Sequence, residues 1–404
     1  MSLLPVQDAL ALVIASAGNG TGIETISIDN AFGRTLAADL YARRTQPPID
    51  VSAMDGYAIY AGDVVDVLTT LKIIGQSAAG HGFEGHVVPG TCVRIFTGAQ
   101  LPTGADTVVI QENATQNGAG ITILQAPEKG KNIRRAGIDF SEGDKLLAAG
   151  TRLGAAQLAL TASMNYATLN VRRRPRIGIL ATGDELVVPG ANLLPNQIIS
   201  SNNFAISALA KEAGAEIFDL GIAPDNLETL TQIIAQAQNL ELDVLVTLGG
   251  ASVGDHDLVQ QALQMLGCTP DFWRIAMRPG KPMMFGTLGK MRVLGLPGNP
   301  VASFVCGLIF LKPLVFALLG NPNASTDTSQ PAILGCNVQA NDKRQDYLRA
   351  NAIFTNNGLP VVTPFAMQDS SMLSALSNAN ALLIREPFAK AGKEGDLCRV
   401  IKLD

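Results

Sequence analysis

The middle of the chain, from Ile177 to about Leu319, alternates short apolar runs with segments whose apolar residues recur at helical spacing. The apolar runs lie at 176–181, 217–222 and 244–248, and the helical patterns follow Asn202, Asn203 and Asp225. Alternating strand and helix patterns predict a parallel sheet with helices on both faces. We therefore expect a three-layer α/β domain here. Ligands of such open sheets bind outside the carboxyl ends of the strands, which makes the turns at 182–185 and 249–257 the first candidates for a site.

Residues 46–140 carry a different pattern, in which short β-type runs such as Thr107 to Ile110 and Ile121 to Leu124 are separated by glycine-rich turns. This spacing predicts a separate β domain. Helical patterns at 7–17 and 154–164 flank it, so we expect the flanking segments to pack together as one discontinuous domain.

After Pro331 the chain returns to short β-type runs, which predict a small C-terminal β domain. The runs lie at 333–338, 347–353, 360–363 and 398–402.

The composition suits a folded protein of several domains. The 404 residues predict two to four domains at roughly 150 residues each. Hydrophobic residues make up 47% of the chain and charged residues 16%, which excludes disorder for most of it. The net charge of −5 gives no general attraction to nucleic acid or to an anionic membrane, so we expect neither as a partner.

Cysteine usage favours a reducing cytoplasm, because the five cysteines are odd in number, far apart and form no Cys-x-x-Cys pair. The start of the chain, Met1 to Pro5, lacks the basic residues and apolar stretch of a secretory signal. Lys312-Pro313 interrupts the apolar stretch from Val301 to Leu319, whose uninterrupted part falls short of a membrane span. We interpret this stretch as a buried helix.

Two glycine-containing turns and a basic pair suggest an anionic ligand. Glycines in the turn at 249–257 let backbone N–H groups approach an anion, although a plain turn with Asp257 as helix N-cap is the alternative. In the turn at 295–300, Asn299 can cap a helix that begins at Pro300. Arg278 and Lys281, in the RPGKP segment, add positive charge, and the alternative for them is a solvated loop.

Four carboxylates, Asp55, Glu185, Asp225 and Asp257, fall in predicted loops, where they could bind Mg²⁺ together with substrate phosphates. Each acid alone is more typical of a turn or cap, so the grouping carries the prediction. The three histidines show no metal-binding spacing, and the chain lacks both a P-loop and a Gly-x-Ser-x-Gly elbow. The residues alone thus predict a multi-domain α/β enzyme that acts on an anionic, phosphorylated ligand.

Seven motifs, found in order along nearly the whole chain, carry a resemblance to a known family. They are PPIDVSAMDGYA at 47–58, RIFTGAQLPTGADTVVIQE at 94–112, NIRRAGID at 132–139, LATGDEL at 180–186, GGASVGDHD at 249–257, RPGKP at 278–282 and GLPGNPV at 295–301. Together they resemble the molybdopterin molybdenumtransferases, the MoeA family, whose eukaryotic counterpart is the gephyrin E domain.

The resemblance implies an elongated homodimer of four-domain chains with a site built between the subunits. Its α/β domain resembles the molybdopterin adenylyltransferases, and its C-terminal domain would be β-barrel-like. The implied domains are a discontinuous helical linker domain at 1–45 and 141–172, a β-rich domain at 46–140, an α/β molybdopterin-binding domain at 173–325 and a C-terminal β domain at 326–404.

The implied reaction takes adenylylated molybdopterin and molybdate, cleaves the pyrophosphate bond with Mg²⁺, and releases AMP as molybdenum enters the dithiolene. Possible partners are the adenylyltransferase and proteins that accept the cofactor. The resemblance implies catalytic roles for Asp55, Thr97, Asp139, Glu185, Asp225 and Asp257, of which Asp55, Glu185, Asp225 and Asp257 would bind the metal. It implies substrate contacts from Gly250, Ser252, Gly254, Arg274, Arg278, Lys281, Gly298 and Asn299, and molybdate contacts from Lys281, Pro282, Arg344 and Ser370.

The chain departs from the family pattern near the implied oxyanion site. Arg274 and Arg278 stand where many relatives have Lys, which keeps the charge but replaces a point charge with a planar fork. Ala302 replaces a usual Ser, with Ser303 next to it, and Asp369 replaces a usual Gly. An added carboxylate close to an oxyanion is expected to weaken its binding.

Three alternatives stay open beside this interpretation. An adenylyltransferase shares the α/β domain but would need neither the 47–58 segment nor a C-terminal β domain, and both are present. A scaffold protein of the same fold, without catalysis, is disfavoured by the retained carboxylates. The sequence does not choose between molybdate and tungstate, so a tungstate-preferring paralogue remains an alternative.

Overall fold

The computed structural model describes residues 3–250, 258–354 and 358–403. Within these residues the α-helices are α1 (Val6–Ala15), α2 (Ala155–Ser163), α3 (Asn202–Ala213), α4 (Leu227–Asn239), α5 (Leu258–Met265), α6 (Pro300–Cys306), α7 (Lys312–Leu318) and α8 (Leu373–Ser377). A π-helical turn, Gly307–Leu311, joins α6 to α7.

The strands follow three groupings along the chain. The first strands are β1 (Ile23–Ser27), β2 (Leu40–Tyr41), β3 (Val51–Ser52), β4 (Gly56–Ile59), β5 (Thr70–Ser77), β6 (Thr91–Ile95), β7 (Thr107–Ile110), β8 (Ala114–Asn117), β9 (Gly120–Ile123), β10 (Ile133–Arg134) and β11 (Lys145–Leu147). The next are β12 (Thr168–Arg172), β13 (Arg176–Thr182), β14 (Leu186–Val187), β15 (Ile198–Ile199), β16 (Glu216–Ala223), β17 (Val244–Leu248), β18 (Thr269–Phe272), β19 (Met277–Arg278), β20 (Met284–Leu288) and β21 (Met291–Leu296). The last are β22 (Ser329–Leu334), β23 (Gln345–Ile353), β24 (Val361–Pro364), β25 (Ala381–Arg385) and β26 (Leu397–Lys402).

The α/β domain has the three layers that the apolar pattern predicts. Alternate side chains of β17 enter two different cores: Val244 and Val246 pack with α3, α6 and α7, whereas Leu245 packs with α4 and α5. This alternation is the period of two that a strand imposes on its side chains. The sheet therefore carries helices on both faces.

The prediction of a parallel sheet is correct for five strands and wrong for β20, which alone runs against the others. The strand order is β16-β13-β17-β21-β20-β18, and pairing is parallel from β16 to β21 but antiparallel for β21–β20 and β20–β18. A two-residue turn at Gly289, with φ +63°, joins β20 to β21. So short a connection can form only a hairpin, because a parallel crossover needs a dozen or more residues.

The apolar stretch near residue 300 is one continuous helical segment, 300–318, long and apolar enough to cross a membrane by length and composition. Leu311, Leu314 and Val315 are fully buried in the α/β core, in agreement with the buried helix that we expected. Our expectation that Lys312-Pro313 interrupts it is wrong. The widened π-helical turn lies directly before this pair and accommodates the ring and the missing N–H of Pro313.

The β domain between residues 46 and 140 contains a six-stranded sheet in the order β7-β4-β6-β5-β9-β8. Its strand β7 has the bounds that the sequence pattern predicts. Outside this sheet, the antiparallel pair β3–β10 joins the segment after residue 46 to the segment before residue 140.

The segments that flank the β domain share a core, as expected, but α1 does not belong to it. Leu36 and Leu40 from the first segment pack with Leu153 and Met164 from the second. The antiparallel pairs β1–β12 and β2–β11 connect the two segments. Helix α1, through residues such as Val13, packs instead in the core of the α/β domain, because its apolar face meets α7 there.

The C-terminal domain is a small closed barrel of five strands in the order β23-β24-β22-β26-β25, closed by pairing of β25 with β23. The sequence pattern predicted four of these strands and missed β25. Strand β19 of the α/β domain adds to the barrel in parallel with β23, with Arg278 opposite Asp346. This pairing brings the RPGKP segment against the barrel.

Candidate functional site

Three loops meet at the carboxyl ends of the central strands. The Gly249 N–H donates to the Leu296 carbonyl at 3.2 Å, which ties the loop after β17 to the loop after β21. Gly249 has φ +96°, and a Cβ there would lie 2.9 Å from the carbonyl oxygen of Thr182, at the end of β13. A Cβ at Gly298 would lie 3.7 Å from the Gly249 Cα. Gly249 must therefore be glycine, and the loops form the close-packed edge at which we predicted a site.

Several predicted contacts of this edge fall outside the described residues. Ser252, Gly254 and Asp257 belong to the segment 251–257, as does His256. The glycine pair before this segment is described, and Gly250 has φ +62°.

Two predicted acids lie exposed on the neighbouring loops. The carboxylate of Glu185 folds back over Gly183, where a side chain would collide with it. The Asp225 N–H donates to Asp184 Oδ1 at 3.0 Å, which joins the loop after β16 to the loop after β13. Neither the Glu185 nor the Asp225 carboxylate has a hydrogen-bond partner among the described residues, so both are available to a ligand.

Asn299 and Ser370 connect this edge to the barrel. The helix begins at Pro300 as expected, but the Asn299 side chain does not cap it. It donates instead from Nδ2 to Ser370 Oγ at 2.8 Å, and the Val301 N–H donates to the Ser370 carbonyl at 3.0 Å. Asn202 donates to the Gly298 carbonyl at 2.7 Å on the other side. The predicted substrate and oxyanion contacts thus adjoin each other.

The predicted arginines Arg278 and Arg344 share one carboxylate that the sequence reasoning missed. Asp342 accepts from Arg344 Nη2 at 2.7 Å and from Arg278 Nη1 at 3.4 Å. Hydrogen bonds from the side chain and backbone of Arg344 lower the pKa of Asp342 to about 2. Arg278 also donates to Asp346, a buried acid whose pKa is raised by burial. Both arginines are therefore neutralised by neighbouring acids in the free protein.

The other two predicted cations are differently placed. Arg274 and Lys281 are exposed, and neither side chain has a hydrogen bond or ion pair to another described residue. Their backbones stand near one another, since the Ile275 N–H donates to the Lys281 carbonyl at 3.1 Å. Pro282 lies between Lys281 and strand β20. Within the described ranges, nothing prevents these two cations from meeting an anionic ligand.

The departures from the family pattern have direct structural consequences. Asp369 turns its carboxylate to Ser371, accepting from the amide at 2.8 Å and from the hydroxyl at 2.6 Å. These hydrogen bonds lower its pKa. Ser303 is buried and its hydroxyl has no hydrogen-bond partner among the residues that the structure describes, whereas Ala302 is a buried apolar residue of α6.

In the β domain, the predicted pair Asp55 and Thr97 are directly bonded. Asp55 Oδ1 accepts from the Thr97 amide at 2.7 Å and from the Thr97 hydroxyl at 2.8 Å. These hydrogen bonds, in that order, lower the pKa of Asp55. The second oxygen, Oδ2, has no partner among the described residues. Asp55 is thus an ionised, oriented carboxylate with one free oxygen.

The remaining predicted residue of this domain, Asp139, lines a cavity of about 620 Å³. Arg44 and Arg134 line the same cavity, and the sequence reasoning did not single them out. Consecutive arginines at 43–44 and 134–135 are the signal that could have found them.

The predicted site residues form two groups within one chain. One group surrounds the carboxyl ends of the α/β strands and the barrel, and the other lies in the β domain around Asp55 and Asp139. Among the residues that the structure describes, no hydrogen bond or ion pair joins the groups. We also find no cluster of three metal-binding side chains in the described ranges.

Arg349 is a further residue that the sequence reasoning missed. It is only 1% exposed, and its guanidinium donates to the carbonyls of Met367 and Met372 at 3.4 and 3.3 Å. It also donates to Gln368 Oε1 at 3.3 Å. Arg349 therefore holds the segment that carries Ser370. An arginine within an apolar strand run was its only sequence signal.

Three family models match the chain in succession. The "MoeA N-terminal region (domain I and II)" matches residues 4–165, a "probable molybdopterin binding domain" matches 178–317, and the "MoeA C-terminal region (domain IV)" matches 331–403.

Curated relatives and solved structures agree with these models. The chain is 34% identical to the molybdopterin molybdenumtransferase of Haemophilus influenzae over 385 residues, 95% of each chain. It is 34% identical to that of Nostoc sp. over 381 residues, 92% of this chain and 87% of the relative. A solved structure of the molybdopterin biosynthesis MoeA protein from Pyrococcus horikoshii has a TM-score of 0.84 at 25% identity and covers 100% of both chains.

Proposed function

The chain belongs to the MoeA family of molybdopterin molybdenumtransferases, enzymes of molybdenum cofactor biosynthesis, and from this premise we propose how its residues divide the work. The proposed reaction joins molybdate to adenylylated molybdopterin as the pyrophosphate bond is cleaved and AMP is released. The observation that carries the proposal is the Asn299–Ser370 hydrogen bond at 2.8 Å, because it sets the barrel against the loops of the α/β sheet.

The substrate phosphates would lie at the loop edge of the α/β sheet. Gly249 and Gly250 allow backbone N–H groups to approach an anion there. Arg274 and Lys281 have no acidic partner among the described residues, so they would supply the compensating charge. Charge that develops on the leaving phosphate is stabilised most by such fixed donors.

Molybdate would bind between the RPGKP segment and the barrel. Lys281, Pro282, Arg344 and Ser370 are the proposed contacts. Ser370 is held from both sides, by Asn299 and by the segment that Arg349 fixes, so its hydroxyl is oriented before the oxyanion arrives.

The exposed carboxylates fit the binding of Mg²⁺. Mg²⁺ usually takes only one or two carboxylates and completes its shell with water and substrate phosphates. Asp55 Oδ2 and the carboxylates of Glu185 and Asp225, which have no partner in the described part of the chain, meet that requirement. Bound there, the ion would neutralise the phosphates during cleavage. Asp257 is the fourth proposed ligand and lies outside the described residues.

A homodimer would unite the two groups of site residues. The groups are separate within one chain, so we propose that the β-domain group of one subunit faces the α/β and barrel group of its partner. Apolar side chains more than half exposed follow the Glu185 turn and would suit such an interface. They are Val188, Leu193, Leu194, Ile198 and Phe204.

A cytoplasmic setting and its partners complete the proposal. All five cysteines are free, and burial raises the pKa of Cys92 to about 12, which keeps that thiol unreactive. The adenylyltransferase that makes the substrate and the enzymes that accept the cofactor are the proposed protein partners.

The test is AMP release from adenylylated molybdopterin by the purified protein with Mg²⁺, in the presence of no oxyanion, molybdate or tungstate. Molybdate-dependent formation of active cofactor is expected. A tungstate preference would point to the paralogue, and a folded dimer without any release would support a scaffold. Asp55→Asn should raise the Mg²⁺ concentration needed for half-maximal release, whereas Asp63→Asn, in the same domain, should not.

A further inference from the structure

Arg94 begins the motif at 94–112, and the proposed function gives it no role. It lies on β6, opposite Tyr57 of β4. Its guanidinium carbon stands 5.0 Å from the ring centroid of Tyr57 and 5.0 Å from that of Phe96. A guanidinium within about 6 Å of an aromatic ring is attracted to it. Arg94 forms no ion pair within the described ranges, so the two rings, rather than an acid, hold its charge.

Two hydrogen bonds join this guanidinium to the chain around Asp55. Nη1 donates to the carbonyl of Gly56, the next residue, at 3.2 Å, and Nη2 donates to Gln111 Oε1 at 2.8 Å. The Gln111 N–H in turn donates to the Asp55 carbonyl at 3.0 Å. Arg94 therefore connects the residue that follows Asp55 with the residue that binds the Asp55 carbonyl.

Neighbouring groups fix both acceptors of Arg94. A Cβ at Gly56 would lie 1.9 Å from the Val109 carbonyl oxygen, so β4 and β7 are in close contact there and the Gly56 backbone has little freedom. Gln111 Nε2 donates to Glu112 Oε1 at 3.4 Å, which orients the amide so that its oxygen faces Arg94. The planar fork of Arg94 thus meets acceptors that already have one orientation.

We propose that Arg94 is a positioning residue for Asp55. Thr97 fixes the Asp55 side chain through Oδ1. Arg94 fixes the Asp55 backbone through its two hydrogen bonds, one to the next residue and one to the partner of the Asp55 carbonyl. A carboxylate held at both places presents Oδ2 to Mg²⁺ with little rotational freedom left to lose. The inference rests on the proposed function for the role of Asp55, but the contacts of Arg94 stand without it.

Arginine suits this position better than lysine would. Its planar fork can donate to two acceptors and contact two rings at once, whereas an ammonium group is a point charge on a flexible stem. The positive charge has a second effect, because after the hydrogen bonds from Thr97 it also lowers the pKa of Asp55. Arg94 makes no ion pair with Asp55, so its charge favours the ionised carboxylate without occupying Oδ2.

Amide hydrogen exchange and Mg²⁺ titration of the full-length protein test the inference. In Arg94→Gln, the Thr97 and Gln111 amides, which donate to Asp55, should exchange about tenfold faster. The Mg²⁺ concentration for half-maximal AMP release should also rise about tenfold, the loss of one charge-assisted hydrogen bond. Arg94→Lys keeps the charge and should recover part of both effects. Lys72→Gln removes an exposed charge from β5 of the same domain and should change neither. Thermal melting identifies the folded variants, and Arg94→Lys carries the test if Arg94→Gln does not fold.

A double-mutant cycle separates positioning from an independent effect of Arg94. If Arg94 acts through Asp55, Arg94→Gln should not raise the Mg²⁺ requirement further in an Asp55→Asn background. Two results would overturn the inference: unchanged exchange of both amides in the folded variant, or effects of Arg94→Gln and Asp55→Asn on the Mg²⁺ requirement that add. Failure of the proposed function looks different. In that case the protein would release no AMP, or Asp55→Asn would leave the Mg²⁺ dependence unchanged, while Arg94→Gln would still speed exchange at Thr97 and Gln111.

Discussion

Asp342 leads to a specific prediction because it binds the guanidinium group of Arg344, which we assign to the oxyanion. Its carboxylate accepts from Nε and Nη2 of Arg344 at 3.3 and 2.7 Å, in a fork that a tetrahedral oxyanion could replace. We predict that Asp342→Asn tightens molybdate binding. Asparagine keeps the side-chain oxygen that accepts from the Arg344 amide at 2.8 Å, so the turn should persist.

The magnitude follows from the exposure of the pair. The Asp342 side chain is 45% exposed and that of Arg344 is 25% exposed, so water screens the contact. Exposed pairs of this kind contribute about 0.2–1 kcal/mol. If an oxyanion must displace Asp342, its affinity should rise in the variant by up to about fivefold, and the loss of stability should stay below about 1 kcal/mol.

Calorimetric titration with molybdate at low and high salt is the appropriate assay. The gain in affinity should shrink as salt increases, because the removed charge is exposed. Asp327→Asn is the matched control, since it breaks another exposed ion pair of the barrel, that with Arg399. Unchanged or weaker molybdate binding in folded Asp342→Asn, with the control behaving like the parent, would refute the reasoning.

The same residue predicts a pH dependence of stability. Because the pKa of Asp342 is lowered to about 2 in the folded protein, its contribution is complete above the unfolded value near 3.8 and is lost as the pH falls towards 2. The free energies of unfolding of parent and Asp342→Asn should therefore differ by a constant amount above about pH 4. A difference that persists unchanged at pH 2 would contradict this assignment.

Three further substitutions test the site. Gly249→Ala should destabilise the protein by about 1–3 kcal/mol and slow AMP release, because φ is +96° and a backbone oxygen lies 2.9 Å from the new Cβ. The control Gly289→Ala, at a positive φ in open space, should lower the free energy of unfolding by less. Equal losses of stability in the two variants would argue against the close contact at Gly249. Thr97→Val removes the 2.8 Å hydrogen bond from the Thr97 hydroxyl to Asp55, so it should raise the Mg²⁺ concentration needed for activity at nearly unchanged stability. A titration of activity against Mg²⁺ that gives the same curve as the parent would disprove this. Arg349→Met should lower the free energy of unfolding by about 2–4 kcal/mol and speed amide exchange across residues 365–373, because three hydrogen bonds of 3.3–3.4 Å hold that segment. Unchanged exchange would show that Arg349 does not position the segment.

Some contacts of the functional site could be predicted from sequence motifs, and others join residues that no motif connects. Motifs pointed to Asp55 with Thr97, and the structure shows these two bonded. The sequence did not reveal that Asn299 bonds Ser370, 71 residues away, instead of capping its own helix. Nor did it reveal Asp342, because a carboxylate between two arginines of different domains has no local pattern.

The sequence by itself determined the elements whose patterns are local. Apolar periodicity predicted strands such as β7 and β17, the helix that begins at Pro300 and the two faces of the α/β sheet, because each element imposes its own period on the side chains.

Only the tertiary structure decided how distant segments pair. It placed α1 in the α/β core, turned β20 against the other strands of its sheet, closed the barrel with β25 and set Arg278 opposite Asp346. The physical reason is that these outcomes depend on which surface each apolar face or strand edge meets, and that choice is made by contacts between residues far apart in the chain.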